Sequence, residues 1–288
     1  LHYMLNEGVT WSDIATGSFA ARYTPSGFFF DVKGSSGFPS TAPVKYVLGL
    51  LCSNVMTHSM KALNPTATFQ VGDLGRVCYI EENVEIIKDN VSNLIDISKD
   101  DWDSFEISMD FEKSPLVGAT SIENSLNMWK EACEVVVSKT KKMEEDNNKL
   151  FIDSYGLSEF THEVSSKQIT LTANPEYRYS NLKVDNLQSR VTSDSLYELI
   201  SYSIGCMMGR YSLDRKGLVY ADSKNEGFKE LTAKGEAYVL VTILGVRGSA
   251  PRDSGTKMVV SSHASFDTIG GGHLEHKATK IALDILAK

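Results

Sequence analysis

The run IENSLNMWKEACEVVVSKTKKMEEDNNKLFIDSYGL constrains the fold more than any other stretch, because its apolar residues recur three and four positions apart among charged ones. That spacing places them on one face of a 3.6-residue period and predicts a long amphipathic helix from about Ile122 to Ile152. The preceding DNVSNLIDISKDDWDSFEIS has the same spacing. An antiparallel helix pair is therefore expected here, its polar residues forming a solvated face and not an acidic binding site.

Charge is unevenly spread. Residues 81–163 hold eight basic and twenty acidic side chains, a net −12, whereas residues 1–80, 164–235 and 236–288 carry +1, +2 and +1. A surface for nucleic acid should avoid the acidic middle, where phosphate would be repelled. With 288 residues, 42% of them hydrophobic, the chain can bury a core as one large domain or two to three small ones. No apolar run reaches the roughly 20 residues of a membrane span, and LHYMLNEGVTW lacks the basic-then-apolar order of a secretory leader. Cys52, Cys78, Cys133 and Cys206 form no Cys-x-x-Cys pair and sit among apolar neighbours, which reads as free buried thiols in a reducing, cytoplasmic setting. The chain starts at Leu1 and stops inside a helical pattern, so both termini read as cut ends.

Four segments follow. In 1–80, an α+β segment, FAARYTPSGFFFDVKGSSGF places a Pro-Ser-Gly turn between aromatic runs, a hairpin signal. Next, Val47, Leu48, Leu51, Val55 and Met56 recur at helical spacing after Pro43, and NPTATFQVGDLGRVCYI offers one or two short strands. Residues 81–163 form the acidic helical segment. Residues 164–235 combine the strand-like QITLTANPEY with a helix whose buried stripe is Leu196, Leu199, Ile200, Ser203 and Ile204, and GCMMGRY brings small residues close to a neighbour. In 236–288, YVLVTILGV reads as a buried strand, followed by a loop, a second strand and, after three glycines, an amphipathic helix. The fold class is α+β: a mixed short-strand and helix region with a long amphipathic helical segment, plus a small C-terminal strand-loop-strand-helix piece.

Asn174-Pro175-Glu176-Tyr177 invites comparison with the Asn-Pro-Pro-Tyr of adenine-N6 methyltransferases. In that motif the Asn and a backbone carbonyl accept hydrogen bonds from the adenine amino group, and the aromatic ring stacks on the flipped base. No acidic-x-x-x-Gly-x-Gly turn for the methyl donor precedes Asn174, and Glu176 would put a charge beside the base. The tetrapeptide therefore reads as an Asn-Pro turn after a strand, with no catalytic residue in the chain.

WSDIATGSFAARYTPSGFFFDVKGSSGF, YVLGLLCSNVMTHSMKALNPTATFQVGDLGRV and LISYSIGCMMGRYSLDRKGLVYA resemble successive blocks of the PglX-type adenine-specific DNA methyltransferases of BREX phage-defence systems. The first two are shared more loosely with the specificity regions of other restriction-modification methyltransferases. The resemblance covers about residues 1–230. It implies target recognition downstream of catalysis, with S-adenosylmethionine used by the parent enzyme at a site outside this chain. It also implies double-stranded DNA and other BREX proteins as partners, and no methyl transfer by this chain alone. Arg22, Tyr23, Lys33, Ser35, Ser36, Gln70 and Arg76, near Gly-rich turns, offer phosphate and base-edge contacts, and Tyr23 or Phe28 offers a ring for stacking.

YVLVTILGVRGSAPRDSGTKMVV and DTIGGGHLEHKA resemble the N-terminal region of XdhC/CoxI proteins, accessory factors for molybdenum hydroxylases. This second resemblance implies cofactor maturation as an alternative function, with molybdopterin as a ligand, or a non-functional fusion joined near Gly235. Gly270, Gly271 and Gly272 before a helix expose amides that suit an anion, and Arg247, Arg252 and Lys257 add charge. His273 and His276 stand one helical turn apart without a third partner, so no metal site is expected. A piece this short is expected to be poorly stabilised or to pack only locally.

Overall fold

The computed structural model describes residues 3, 5–14, 19–30, 34–64, 66, 68–219, 237–242, 256–263, 265–266, 269 and 272–287. The chain divides into a first unit, Leu1–Trp102 with Lys130–Leu187, and a second, Asp103–Trp129 with Gln188–Lys288. Helices and small antiparallel sheets make both, an α+β architecture.

The first unit opens with β1 (Gly8–Ser12), β2 (Ala21–Thr24) and β3 (Gly34–Gly37), in the sheet order β2-β1-β3 with both pairings antiparallel. The expected hairpin between the aromatic runs is absent: β2 and β3 never pair with each other, and β1 lies between them. Alternation along GVTWS explains this, since Val9 and Trp11 need burial and claim the centre of the sheet.

α1 (Val44–Leu51) starts after Pro43, whose extended conformation suits the entry to a helix. α2 (Asn54–Leu63) follows a break at Ser53, whose buried hydroxyl donates to the Leu50 carbonyl at 2.7 Å and accepts from the Met56 amide at 3.2 Å. One serine thus satisfies orphan groups of both helices. After α2 the expected strands are missing among the described residues; an isolated bridge, Ile14 to Thr68, is followed by the short α3 (Val71–Leu74).

α4 (Val84–Asp103) and α5 (Ile122–Tyr155) are the acidic helices, and α5 begins where the periodicity places it. Asn90 donates to the Met143 carbonyl at 2.9 Å, and Ile97 packs beside Val136 and Val137, so the two run antiparallel. α1 crosses them at Gly49. A Cβ there would meet Val91 at 3.0 Å, the Asn147 Oδ1 at 3.1 Å and Ile87 at 3.1 Å. Asn147 also donates to the Gly49 carbonyl at 3.0 Å. Around this crossing Tyr46, Met56, Ile87, Val91 and Phe151 form the core with Val9 and Trp11 of the sheet.

QITLTANPEY forms no strand. A 3-10 turn at Ser166–Gln168 leads to Ile169 and Leu171, both buried, while Thr170 between them is exposed. The alternation is real, but the amides of Thr172 and Ala173 bond to the Asp101 carboxylate at 2.7 and 2.8 Å instead of to a neighbouring strand. α6 (Pro175–Arg178) then begins.

In the second unit, the buried line on α7 (Val184–Met207) is Ser195, Tyr202 and Gly205, not the expected one. Ile200 is 54% and Ile204 49% exposed, and Ser203 is exposed as well. The aromatic cluster of Phe111, Tyr202 and Tyr211 sets the register, with ring centroids 5.2 to 5.8 Å apart. Glu106 bonds the Arg210 guanidinium at 3.1 Å and the Ser201 hydroxyl at 2.7 Å.

Within the tail, β4 (Tyr238–Thr242), β5 (Lys257–Ser261) and β6 (Ser265–Phe266) make an antiparallel sheet against α8 (Gly272–Leu286). Met258, Val260, Ile269 and Ala282 close a small core. None of the four cysteines is in a disulfide, and Cys52 and Cys78 are exposed while Cys133 and Cys206 are half-buried, which corrects the expected buried thiols.

Candidate nucleic-acid interface

Side-chain alternation assigns the candidates to faces of the first sheet. Register pairs Thr10 with both Arg22 and Ser36, and Ser12 with Gly34, so Thr10, Ser12, Arg22 and Ser36 share the face away from the core. Arg22 is exposed and its Nη2 donates to the Ser12 hydroxyl at 2.9 Å. The Ser36 hydroxyl donates to the Gly34 carbonyl at 3.0 Å. This is a row of one guanidinium and three hydroxyls; Thr10 and Ser36 already donate to backbone carbonyls, so Arg22 and the Ser12 hydroxyl supply the donors that phosphate oxygens accept.

Tyr23 and Ser35 belong to the opposite face, opposite Val9 and Trp11 respectively. The Tyr23 hydroxyl donates to Glu7 at 2.8 Å; burial first, and that carboxylate second, push the phenol up to about 12. Ser35 accepts the Thr10 hydroxyl through its carbonyl at 3.0 Å.

Gln70 and Arg76 flank α3 and are both exposed. Their segment is tied to the Ser12 end of β1: the Trp11 indole donates to the Phe69 carbonyl at 2.9 Å, and the Phe69 amide donates to the Asp13 carbonyl at 2.8 Å. Lys33 lies outside the described residues. The structure thus gathers Arg22 and Ser36 on one face and separates them from Tyr23 and Ser35. Thr10 and Ser12 went unnoticed in the sequence, although the period-two pattern of GVTWS carries them to that face.

Asn174 is bonded within the chain through both ends of its amide. It is 2% exposed and caps α6, its Oδ1 accepting from the Glu176 amide at 3.2 Å. Its Nδ2 donates to the carbonyls of Ser166 and Ile169, both at 2.7 Å.

Of the tail candidates, Arg247, Arg252, Gly270 and Gly271 lie outside the described residues. Lys257 begins β5 opposite Thr242. Gly272 opens α8 with φ +72°, a conformation that favours glycine, yet an added Cβ would meet nothing within 4 Å. His273 and His276 are exposed.

Two proteins from different bacteria align with most of the chain. The adenine-specific methyltransferase BrxX of Escherichia coli O9:H4 (strain HS) is 37% identical over 238 residues, 80% of this chain and 19% of that protein. The adenine-specific methyltransferase PglX of Lacticaseibacillus casei (strain Zhang) is 33% identical over 224 residues, 75% of this chain and 17% of that protein. The chain therefore spans about a fifth of the length of these curated relatives. A family described as the XdhC and CoxI family matches residues 231–288. The chain is thus similar to adenine-specific methyltransferases over most of its length and to XdhC and CoxI proteins over its last 58 residues.

Proposed function

We propose that this chain is the DNA-recognition portion of a BREX-type adenine-specific DNA methyltransferase and does not itself transfer the methyl group. The observation that carries this reading is the alignment to BrxX and PglX over three quarters or more of the chain but only a fifth of either relative. The open sheet face of Thr10, Ser12, Arg22 and Ser36 supports a duplex as the ligand, because it offers donors in a part of the sequence that lacks the acidic excess of residues 81–163.

S-adenosylmethionine is the methyl donor implied for the parent. The residues of this chain do not fit it: no acidic-x-x-x-Gly-x-Gly turn precedes Asn174 to hold the donor, and the Asn174 amide, which such a motif would turn to the adenine, is bonded internally. Methyl transfer is assigned to residues of the parent beyond this alignment. Other BREX proteins are proposed partners of that parent. Among the described residues no helix is long and apolar enough to cross a membrane.

The test is anisotropy of labelled duplex DNA titrated with the chain over a range of salt. Arg22→Ala combined with Lys33→Ala should weaken binding and flatten the log–log salt slope by roughly one unit per cation removed. Unchanged affinity and slope would remove these residues from the interface. Incubation with labelled S-adenosylmethionine and duplex should give no methyl incorporation; incorporation would overturn the assignment of chemistry elsewhere.

A further inference from the structure

The connection from β2 to β3 joins two strands that both run antiparallel to β1, so it has to travel the length of the sheet. Its start is fixed. Gly27 has φ +97°, and its amide donates to the Leu5 carbonyl at 3.0 Å. Phe30 packs on Phe38 with centroids 5.1 Å apart, and Phe38 stacks on Tyr3 at 5.6 Å and 17°. A Cβ at Gly8 would stand 2.8 Å from the Phe38 ring. Gly8, Thr10 and Ser12 point to the same side of β1, so these rings lie over the Gly8 end of the face that carries Arg22.

With Phe30 held there, its two predecessors point outward. Phe28 is 60% and Phe29 77% exposed. Two adjacent phenyl rings in water, next in sequence to a ring that lies over the Arg22 face, have an apolar demand that the described residues of the unit leave unmet. The donors select an anionic backbone, and the rings select the flat apolar faces that such a backbone carries.

We propose that Phe28 and Phe29 form a wedge that enters a base step of duplex DNA and stacks against an unstacked base while Arg22 holds the neighbouring phosphate. The proposal rests on the DNA-recognition reading and adds the contact that opens the stack. Side chains of this kind part base steps in other DNA-bending proteins. Both rings are exposed, so their removal leaves the core untouched.

The experiment uses the full chain and a set of short duplexes, each carrying 2-aminopurine at one step, read by fluorescence and by anisotropy. Wild type should raise the fluorescence at a subset of steps. The double variant F28A/F29A should abolish that rise, weaken binding roughly tenfold to a hundredfold and keep the salt slope. Circular dichroism and the thermal midpoint should not move. A wild type that binds duplexes without any fluorescence rise overturns the wedge and leaves the recognition reading standing. A rise that survives in F28A/F29A also overturns the wedge. Absence of duplex binding by wild type overturns both. A variant that changes only the oligomeric state, with the rise intact, assigns the rings to a second copy of the chain and overturns the wedge.

Discussion

The ring of Tyr211 occupies the space beside Gly205: a Cβ on that glycine would stand 2.7 and 3.0 Å from two ring carbons. Tyr211 cannot retreat, because it stacks on Tyr202 at 5.2 Å and meets Phe111 edge-on at 5.4 Å. Gly205→Ala should therefore destabilise the second unit by about 1–3 kcal/mol, since overpacking outweighs the gain of about 1 kcal/mol in helix propensity. Gly72→Ala in α3, where a Cβ meets nothing within 4 Å, should be close to neutral. Urea unfolding midpoints of the two variants provide the comparison.

Asn174 supports a second prediction. Its truncation leaves the carbonyls of Ser166 and Ile169 without their donor and the Glu176 amide without its cap. Asn174→Ala should cost about 1–3 kcal/mol in chemical denaturation while leaving duplex affinity unchanged. A variant with full stability but altered DNA binding would contradict a purely structural role.

Glu144 on α5 should make stability depend on pH. Burial, with the neighbouring Glu145 as the smaller cause, pushes its carboxyl from an ordinary 4.5 up to about 7. Between those values the folded chain holds a proton that the unfolded chain has lost, so stability falls as pH rises through this window, by about 3 kcal/mol in all. Glu144→Gln should match wild type below about pH 4.5 and exceed it by up to ~3 kcal/mol above about pH 7. Denaturation midpoints across that range, with a pH-independent difference as the contrary result, decide it.

Where the sequence was readable, the determinants were local. The period of α5 repeats over 34 residues, so its start at Ile122 needed no partner to be seen. The crowding at Gly205 and the turn at Asn174-Pro175 were equally written in adjacent residues. Where it misled, a distant residue decided. The turn after Thr24 has hairpin chemistry, yet β1, ahead of it in the chain, takes both strands as partners. Isoleucines suggested an inward stripe on α7, but Phe111 and Tyr211 draw in Tyr202 instead, leaving Ile200 and Ile204 exposed. Strand-like alternation at Ile169 and Leu171 was real, but Asp101, some 70 positions earlier, captures the backbone amides that a strand would pair. At the candidate interface Arg22 and Ser36 were legible as polar residues near glycines. Alternation separates them from Tyr23 and Ser35, but their sharing one face required the register, which no local pattern of Gly-Ser-Ser-Gly fixes.

That last strand has a further property. β3 lies at the rim of its sheet and reads the same in either direction, with two serines side by side. Sliding it by one position along β1 would swap Ser36 for Ser35 and still present a hydroxyl at the vacated place. The rim therefore carries a built-in duplicate: a slip of one position would leave the chemical character of the patch unchanged.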